Sequence, residues 1–225
     1  AVVINPKSGE ILSLVSLPSF DNNLFNGNLS DKTYSILAGD KRRPFFNRAI
    51  SGAYASGSTI KPFMAAAALN ENIISPDYQV DDTLGYITIP NQYNPDISYI
   101  YHDWKAHGFV DMRQAIAVSA NVYFYVIGGG YKNIKGLGID RIGKYFKLFG
   151  FGSPLGIDLL GETGGLVPSP EWKKSVKKES WFTGDTYNVS IGQGDVLITP
   201  LQLATAISAI ANDGILYKPR IVSKI

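Results

Sequence analysis

Ser58-Thr59-Ile60-Lys61 sets a hydroxyl and an amine three residues apart. On a helix that spacing brings both side chains to one face, within hydrogen-bonding reach of each other. A serine hydroxyl is a weak nucleophile, but a lysine partly desolvated in a closed pocket has a lowered pKa and can take the proton as attack begins. A serine at a helix start also meets the positive end of the helix dipole, which favours a developing oxyanion. The same pattern arises by chance, and a serine ahead of a helix is commonly just an N-cap, so the pair alone defines a candidate. Ser119-Ala120-Asn121 is the second such element. Its hydroxyl can relay a proton and its carboxamide can hold a substrate amide; equally, it reads as a polar helix break whose side chains bond local backbone.

These groups need elements to hold them. Gly57-Ser58 supplies a start for a helix over Ser58 to Asn72, with Pro62 in the first turn, where its missing N–H does no harm. Asp111-Met112-Arg113-Gln114 reads as a capping box, so a helix begins there and leads to Ser119. Asp140 is expected to cap an amphipathic helix with Ile142, Tyr145, Phe146 and Phe149 on one face. Thr199-Pro200-Leu201-Gln202 combines a cap, a first-turn proline and a capping-box glutamine ahead of Leu203 to Ala211, and Gly214 follows the end. Ala1 to Ser16 reads as a β-hairpin at one edge of a sheet, and Pro18 to Arg48 as an irregular segment. Long helices between β-like ends favour an α/β (α+β) layered fold.

Composition narrows the function classes. At 225 residues, 45% apolar and 18% charged, the chain suffices for one sizeable core, and one domain over 1–225 is expected. A net charge of +2 lacks the concentrated basic surface of a phosphate-backbone binder, so nucleic acid is not an expected partner. No cysteine is present, which removes disulfides and thiolate metal sites. The apolar run Ala65 to Leu69 is far too short to cross a bilayer. The chain opens without Met in a strand-like run and stops just after another, from which we expect sequence beyond both ends. Tyr123, Phe124 and Tyr125 read as core, Gly128-Gly129-Gly130 as a loop, and the pairs Lys173-Lys174 and Lys177-Lys178 as a solvated face.

Taken with their flanks, the two motifs resemble the penicillin-recognising serine enzymes, whose motif set is Ser-x-x-Lys, Ser-x-Asn and Lys-Thr-Gly. Asn47-Arg48-Ala49-Ile50, Tyr54 and Gly57 to Phe63 are similar to the signature around the nucleophile of class B penicillin-binding transpeptidases. So are Ser190-Ile191-Gly192-Gln193-Gly194 and Thr199 to Ala204. The resemblance runs from the opening hairpin through Pro18 to Asp21 and Arg42-Arg43-Pro44 to Asn212-Asp213-Gly214. Asp103-Trp104-Lys105, Gly138 to Arg141 and Gly184-Asp185-Thr186 look most like the elongation-specific type, with the septal type as runner-up.

The resemblance implies a penicillin-binding transpeptidase/serine β-lactamase-like fold, an antiparallel five-stranded sheet flanked by helices. It also implies a peptidoglycan D,D-transpeptidase. Ser58 would attack the carbonyl between two D-alanines of a stem peptide, release the terminal D-alanine, and pass the acyl group to an amine on a neighbouring strand. Lys61 would be the base, Ser119 would carry a proton to the leaving nitrogen, and Asn121 would bond the substrate amide and orient Lys61. Penicillin and other β-lactams would acylate the same serine. A cofactor is not expected. Implied partners of the whole protein are a lipid-II-polymerising glycosyltransferase and other elongation-complex proteins, at the periplasmic face of the bacterial inner membrane. Asp81, Asp103 and His107 resemble positions that bind zinc in some members; Ala120 stands where those members have a cysteine, so no metal is assigned. The sequence carries no Lys-Thr-Gly, which the family places downstream of the segment matching Asn212 to Ile225. A β-lactamase and a β-lactam sensor are the competing readings. A class A β-lactamase needs a water-activating glutamate, for which Glu162 and Glu171 are the candidates.

Overall fold

The computed structural model describes residues 1–225 apart from 28, 92, 93, 95 and 223–225. In chain order its elements are β1 (Val2–Ile4), β2 (Ile11–Leu14), α1 (Asp31–Ala38), α2 (Lys61–Asn70), β3 (Val80–Asp82), β4 (Tyr86–Pro90), β5 (Ser98–His102), β6 (Gly108–Val110), α3 (Met112–Ala117), α4 (Asn121–Gly129), α5 (Gly138–Leu148), α6 (Pro170–Val176), α7 (Thr183–Ser190) and α8 (Pro200–Ala211). They fall into two compact units: residues 1–54, 149–166 and 197–225, and residues 55–148 with 167–196. Among the described residues no helix is long and apolar enough to cross a membrane.

In the first unit the expected hairpin forms, with Val2 opposite Leu14 in an antiparallel ladder. Val2, Ile11 and Leu14 pack on a small core of Ala49, Ile50, Ile157 and Leu201. The Thr199 capping box is complete, and Gln202, fully buried, also donates through Nε2 to the carbonyls of Gly150, Ser153 and Gly164. Burying that amide costs little because it is satisfied several times over. The 18–48 segment is more regular than expected. Ser30 accepts from the Thr33 N–H and starts α1, a helix that buries none of its residues, which is why no apolar period announces it.

The second unit is built on α2, α4, α5 and α7. Phe63, Met64, Ala67 and Ala68 of α2, Val122, Phe124 and Ile127 of α4, and Ile142 and Phe146 of α5 are buried, and the three helices pack on one another. Each large apolar side chain so buried contributes about 1.5–3 kcal/mol. Tyr123, Phe124 and Tyr125 are core, as read from sequence. Gly128 and Gly129 are not a loop: they form the last turn of α4, where a Cβ on Gly128 would lie 1.8 Å from Ser190 Oγ and one on Gly129 2.4 Å from the Tyr187 ring. Their lack of a side chain lets α7 close on α4. Helix α5 starts at Gly138, so Asp140 sits in its first turn instead of capping it. Lys173 is buried and paired with Asp185 at 2.7 Å, so that basic cluster is not wholly a solvated face.

The described strands form three antiparallel pairs, β1–β2, β3–β6 and β4–β5. The five-stranded sheet that the resemblance implies is not assembled among them.

Candidate active site

Ser58 does not begin an α-helix directly. Gly57–Ile60 forms a single 3-10 turn, and α2 follows from Lys61 with Pro62 in its first turn. The turn exposes Ser58 to solvent, while Lys61 is 1% exposed. Gly57 holds φ +53° and donates its N–H to the Gly192 carbonyl at 2.9 Å. Gly192 in turn has φ +73°, and a Cβ there would lie 2.0 Å from the Gly57 carbonyl oxygen. The Ser-Ile-Gly-Gln-Gly segment is therefore a backbone brace for the serine turn: only glycine fits so close an approach.

Asp111 starts α3 with both halves of its capping box. The helix runs out at Val118, and Ser119 reverses the chain with φ +57°, a conformation that disfavours a residue carrying a Cβ. The motif is thus a polar helix break, and it also delivers side chains to the lysine. Lys61 Nζ donates to Ser119 O at 2.7 Å, Ser119 Oγ at 3.1 Å and Asn121 Oδ1 at 2.8 Å. These contacts match the three protons of an ammonium. The Phe124 ring lies 5.2 Å from Nζ. Burial pushes Lys61 down from 10.5 to about 8, with the negative charge of Asp103 acting in the opposite direction. All four predicted residues lie in one unit; three converge on a single nitrogen, and the fourth, Ser58, occupies the turn leading into the lysine's helix.

Asp103, named in the sequence for a subfamily likeness and as a zinc-site position, caps a helix. Helix α4 has no side-chain cap of its own, because Ala120 occupies the N-cap. Asp103 Oδ2 accepts the Val122 N–H at 2.8 Å and caps it from 19 residues away.

The metal positions need one correction. In β3 successive side chains alternate, so Asp81 opposes Phe109 on the exposed side and Asp82 is the inward residue. Asp82, Asp103 and His107 are the residues that gather, with donor atoms within 4.8 Å of one another. Among the described residues they supply three of the four ligands that a structural zinc takes. His107 Nδ1 and Asp82 Oδ2 are hydrogen-bonded at 2.7 Å, which leaves His107 Nε2 and Asp82 Oδ1 buried without a partner. Asp103 is already engaged by the Val122 and Trp104 N–H groups, and buried Ala120 offers no fourth donor. Burial raises the Asp82 pKa, the bond to His107 opposing it.

Glu162 accepts the backbone N–H groups of Leu155, Gly156 and Ile157, and Glu171 sits in the first turn of α6. Each carboxylate thus serves local backbone or helix structure.

A Ser-x-x-Lys turn braced by a glycine segment, with a Ser-x-Asn break on the lysine, is the motif arrangement of the penicillin-recognising serine enzymes. The chain belongs to the penicillin-binding protein transpeptidase domain family, whose model matches residues 1–225. It is 41% identical to the peptidoglycan D,D-transpeptidase MrdA of Haemophilus influenzae over 226 aligned residues, covering 100% of this chain and 33% of that protein. The chain therefore spans about a third of the length of the curated relatives it matches. The crystal structure of Pseudomonas aeruginosa PBP2 in complex with WCK 5153 superposes with TM-score 0.90 at 37% identity, covering 99% of this chain and 46% of that one. The PBP2 of Helicobacter pylori in complex with MreC superposes with TM-score 0.87 at 30% identity, covering 99% and 40%.

Proposed function

We propose that this chain carries the acyl-transfer site of a peptidoglycan D,D-transpeptidase of the elongation type. The observation that carries the proposal is a buried lysine with a pKa lowered to about 8, bonded to Ser119 and Asn121 at the base of the Ser58 turn. In its neutral form Lys61 takes the Ser58 proton as Oγ bonds to the carbonyl carbon between two D-alanines. The negative charge that builds on the carbonyl oxygen meets the Ser58 N–H and the positive end of the turn leading into α2. The C–N bond then breaks, and the proton now on Lys61 reaches the leaving nitrogen through Ser119. An amine from a neighbouring stem peptide attacks the ester, loses its proton to the same relay, and expels Ser58. Asn121 holds the lysine in line while its carboxamide meets the donor amide. A β-lactam opens on the same serine.

The whole protein acts on the periplasmic face of the inner membrane, where its substrate lies, beside a lipid-II-polymerising glycosyltransferase. The MreC complex of the Helicobacter pylori relative supports a partner of the elongation machinery. A Lys-Thr-Gly motif is absent from these 225 residues, and a segment bearing it would complete the carboxylate-binding wall and the oxyanion hole. The test is product analysis on the natural polypeptide that contains these residues, supplied with a D-Ala-D-Ala donor peptide and an amine acceptor. Cross-linked peptide with release of D-alanine is expected; rapid hydrolysis of penicillin without cross-linking would make the protein a β-lactamase, and a stable adduct alone would make it a sensor.

A further inference from the structure

A cavity of about 460 Å³ opens between the end of the β4–β5 hairpin and the entry to α7. Ile89, Asn91, Tyr99 and Tyr101 line it from the hairpin, and Trp181 and Thr183 from the helix entry. Its size lies within the range of small-molecule sites. Hydrogen bonds and ring contacts tie the walls together. Trp181 Nε1 donates to Thr186 Oγ1 at 2.9 Å, which fixes the indole, and Asn91 Nδ2 donates to the Tyr99 hydroxyl at 2.8 Å. Tyr101 is held by Tyr187 and Tyr125, with ring centroids 4.6 and 5.8 Å away. A Cβ on Gly184 would lie 2.5 Å from the Tyr101 hydroxyl, so glycine is what keeps that ring in place.

The chemistry of this lining selects its occupant. Among the described residues that line it none is charged. A stem peptide carries carboxylates and an amine, which lose hydration on entering an aromatic pocket without counter-charges. A pyranose ring presents a C–H face to aromatic side chains and hydroxyl and acetamido edges to tyrosine and threonine hydroxyls, and it carries no charge. We propose that this cavity binds an N-acetylhexosamine unit of the glycan backbone that bears the stem peptide. The choice of glycan as the source rests on the transpeptidase reading above. The cavity is also joined to the catalytic framework: β5 ends one residue before Asp103, the cap of α4, and Tyr125 against Tyr101 is on α4 itself.

The experiment titrates the ¹⁵N-labelled natural polypeptide that contains these residues with N,N′-diacetylchitobiose and follows the indole N–H resonances of Trp104, Trp172 and Trp181. A saturable shift at Trp181, with Trp172 unmoved, is expected. Tyr99→Ala removes a half-exposed rim ring and should weaken binding about tenfold, the equivalent of one aromatic contact, without disturbing the rest of the spectrum. Thr183→Val, at an exposed position, provides a second variant that keeps the fold. The proposal is overturned if Trp181 does not respond, if both variants bind the sugar as tightly as the parent, or if a sugar-free stem peptide produces the same shift. Penicillin acylation of the same preparation separates the two readings. Acylation without sugar binding overturns only the glycan site, and sugar binding without acylation overturns only the transpeptidase reading while supporting this one.

Discussion

Lys61 carries opposing demands. The ammonium form is fully hydrogen-bonded to Ser119 and Asn121, which favours charge, yet burial draws its pKa down to about 8, which favours the neutral amine. The neutral form is the one that can take a proton from Ser58. Acylation by penicillin should therefore rise with pH, by roughly tenfold per unit well below the apparent pKa and level off above it, with a midpoint near 8 in a stopped-flow or mass-resolved rate profile. Asp103 raises the lysine's pKa, so removing its charge has a definite sign: Asp103→Asn, which keeps an oxygen for the Val122 N–H, should move that midpoint to lower pH. A midpoint that stays put or rises would show that Asp103 does not act on Lys61. The Ser58 turn and the Ser119 helix break were legible in the sequence because each belongs to a short pattern tied to local backbone. Asp103's capping of α4 was not legible, since the contact spans 19 residues and ties a loop to a helix with no cap of its own.

At the scale of elements, the serine turn depends on a backbone contact that its own sequence does not announce. Gly192→Ala would place a Cβ at φ +73° and 2.0 Å from the Gly57 carbonyl. The strain costs roughly 1–3 kcal/mol, and displacement of Ser58 should slow acylation on the order of 100-fold, checked by thermal unfolding alongside acylation rates. Helix ends with local caps were readable: Asp111 and Thr199 form the boxes their spacing announced. The start of α5 and the whole of α1 were not, the first because Asp140 falls inside the helix and the second because α1 buries nothing. Strand alternation turns Asp82 inward, where the resemblance pointed to Asp81. Ala120 stands where the resemblance places a cysteine. Ala120→Cys should raise zinc affinity by roughly 10- to 100-fold over the parent chain, measured by competition with a chromophoric chelator. An unchanged affinity would mean that the His107 and Asp82 hydrogen bond, not the absent thiolate, excludes the metal.

For the whole molecule, the α/β character and the family were legible because the motifs and their flanks span the chain from its first hairpin to Asn212-Asp213-Gly214. The division into two compact units was not, since each unit gathers segments far apart in sequence. The cavity between the β4–β5 hairpin and the α7 entry escaped for the same reason: its lining comes from two stretches some eighty residues apart. The central claim, that Ser58 is the nucleophile and Lys61 its base, is tested most directly by intact-mass spectrometry after incubation with penicillin, on this chain and on the natural polypeptide that carries it. One adduct per molecule is predicted, absent in Ser58→Ala and strongly suppressed in Lys61→Met. An adduct that survives Ser58→Ala, or none on either form of the protein, would contradict the account.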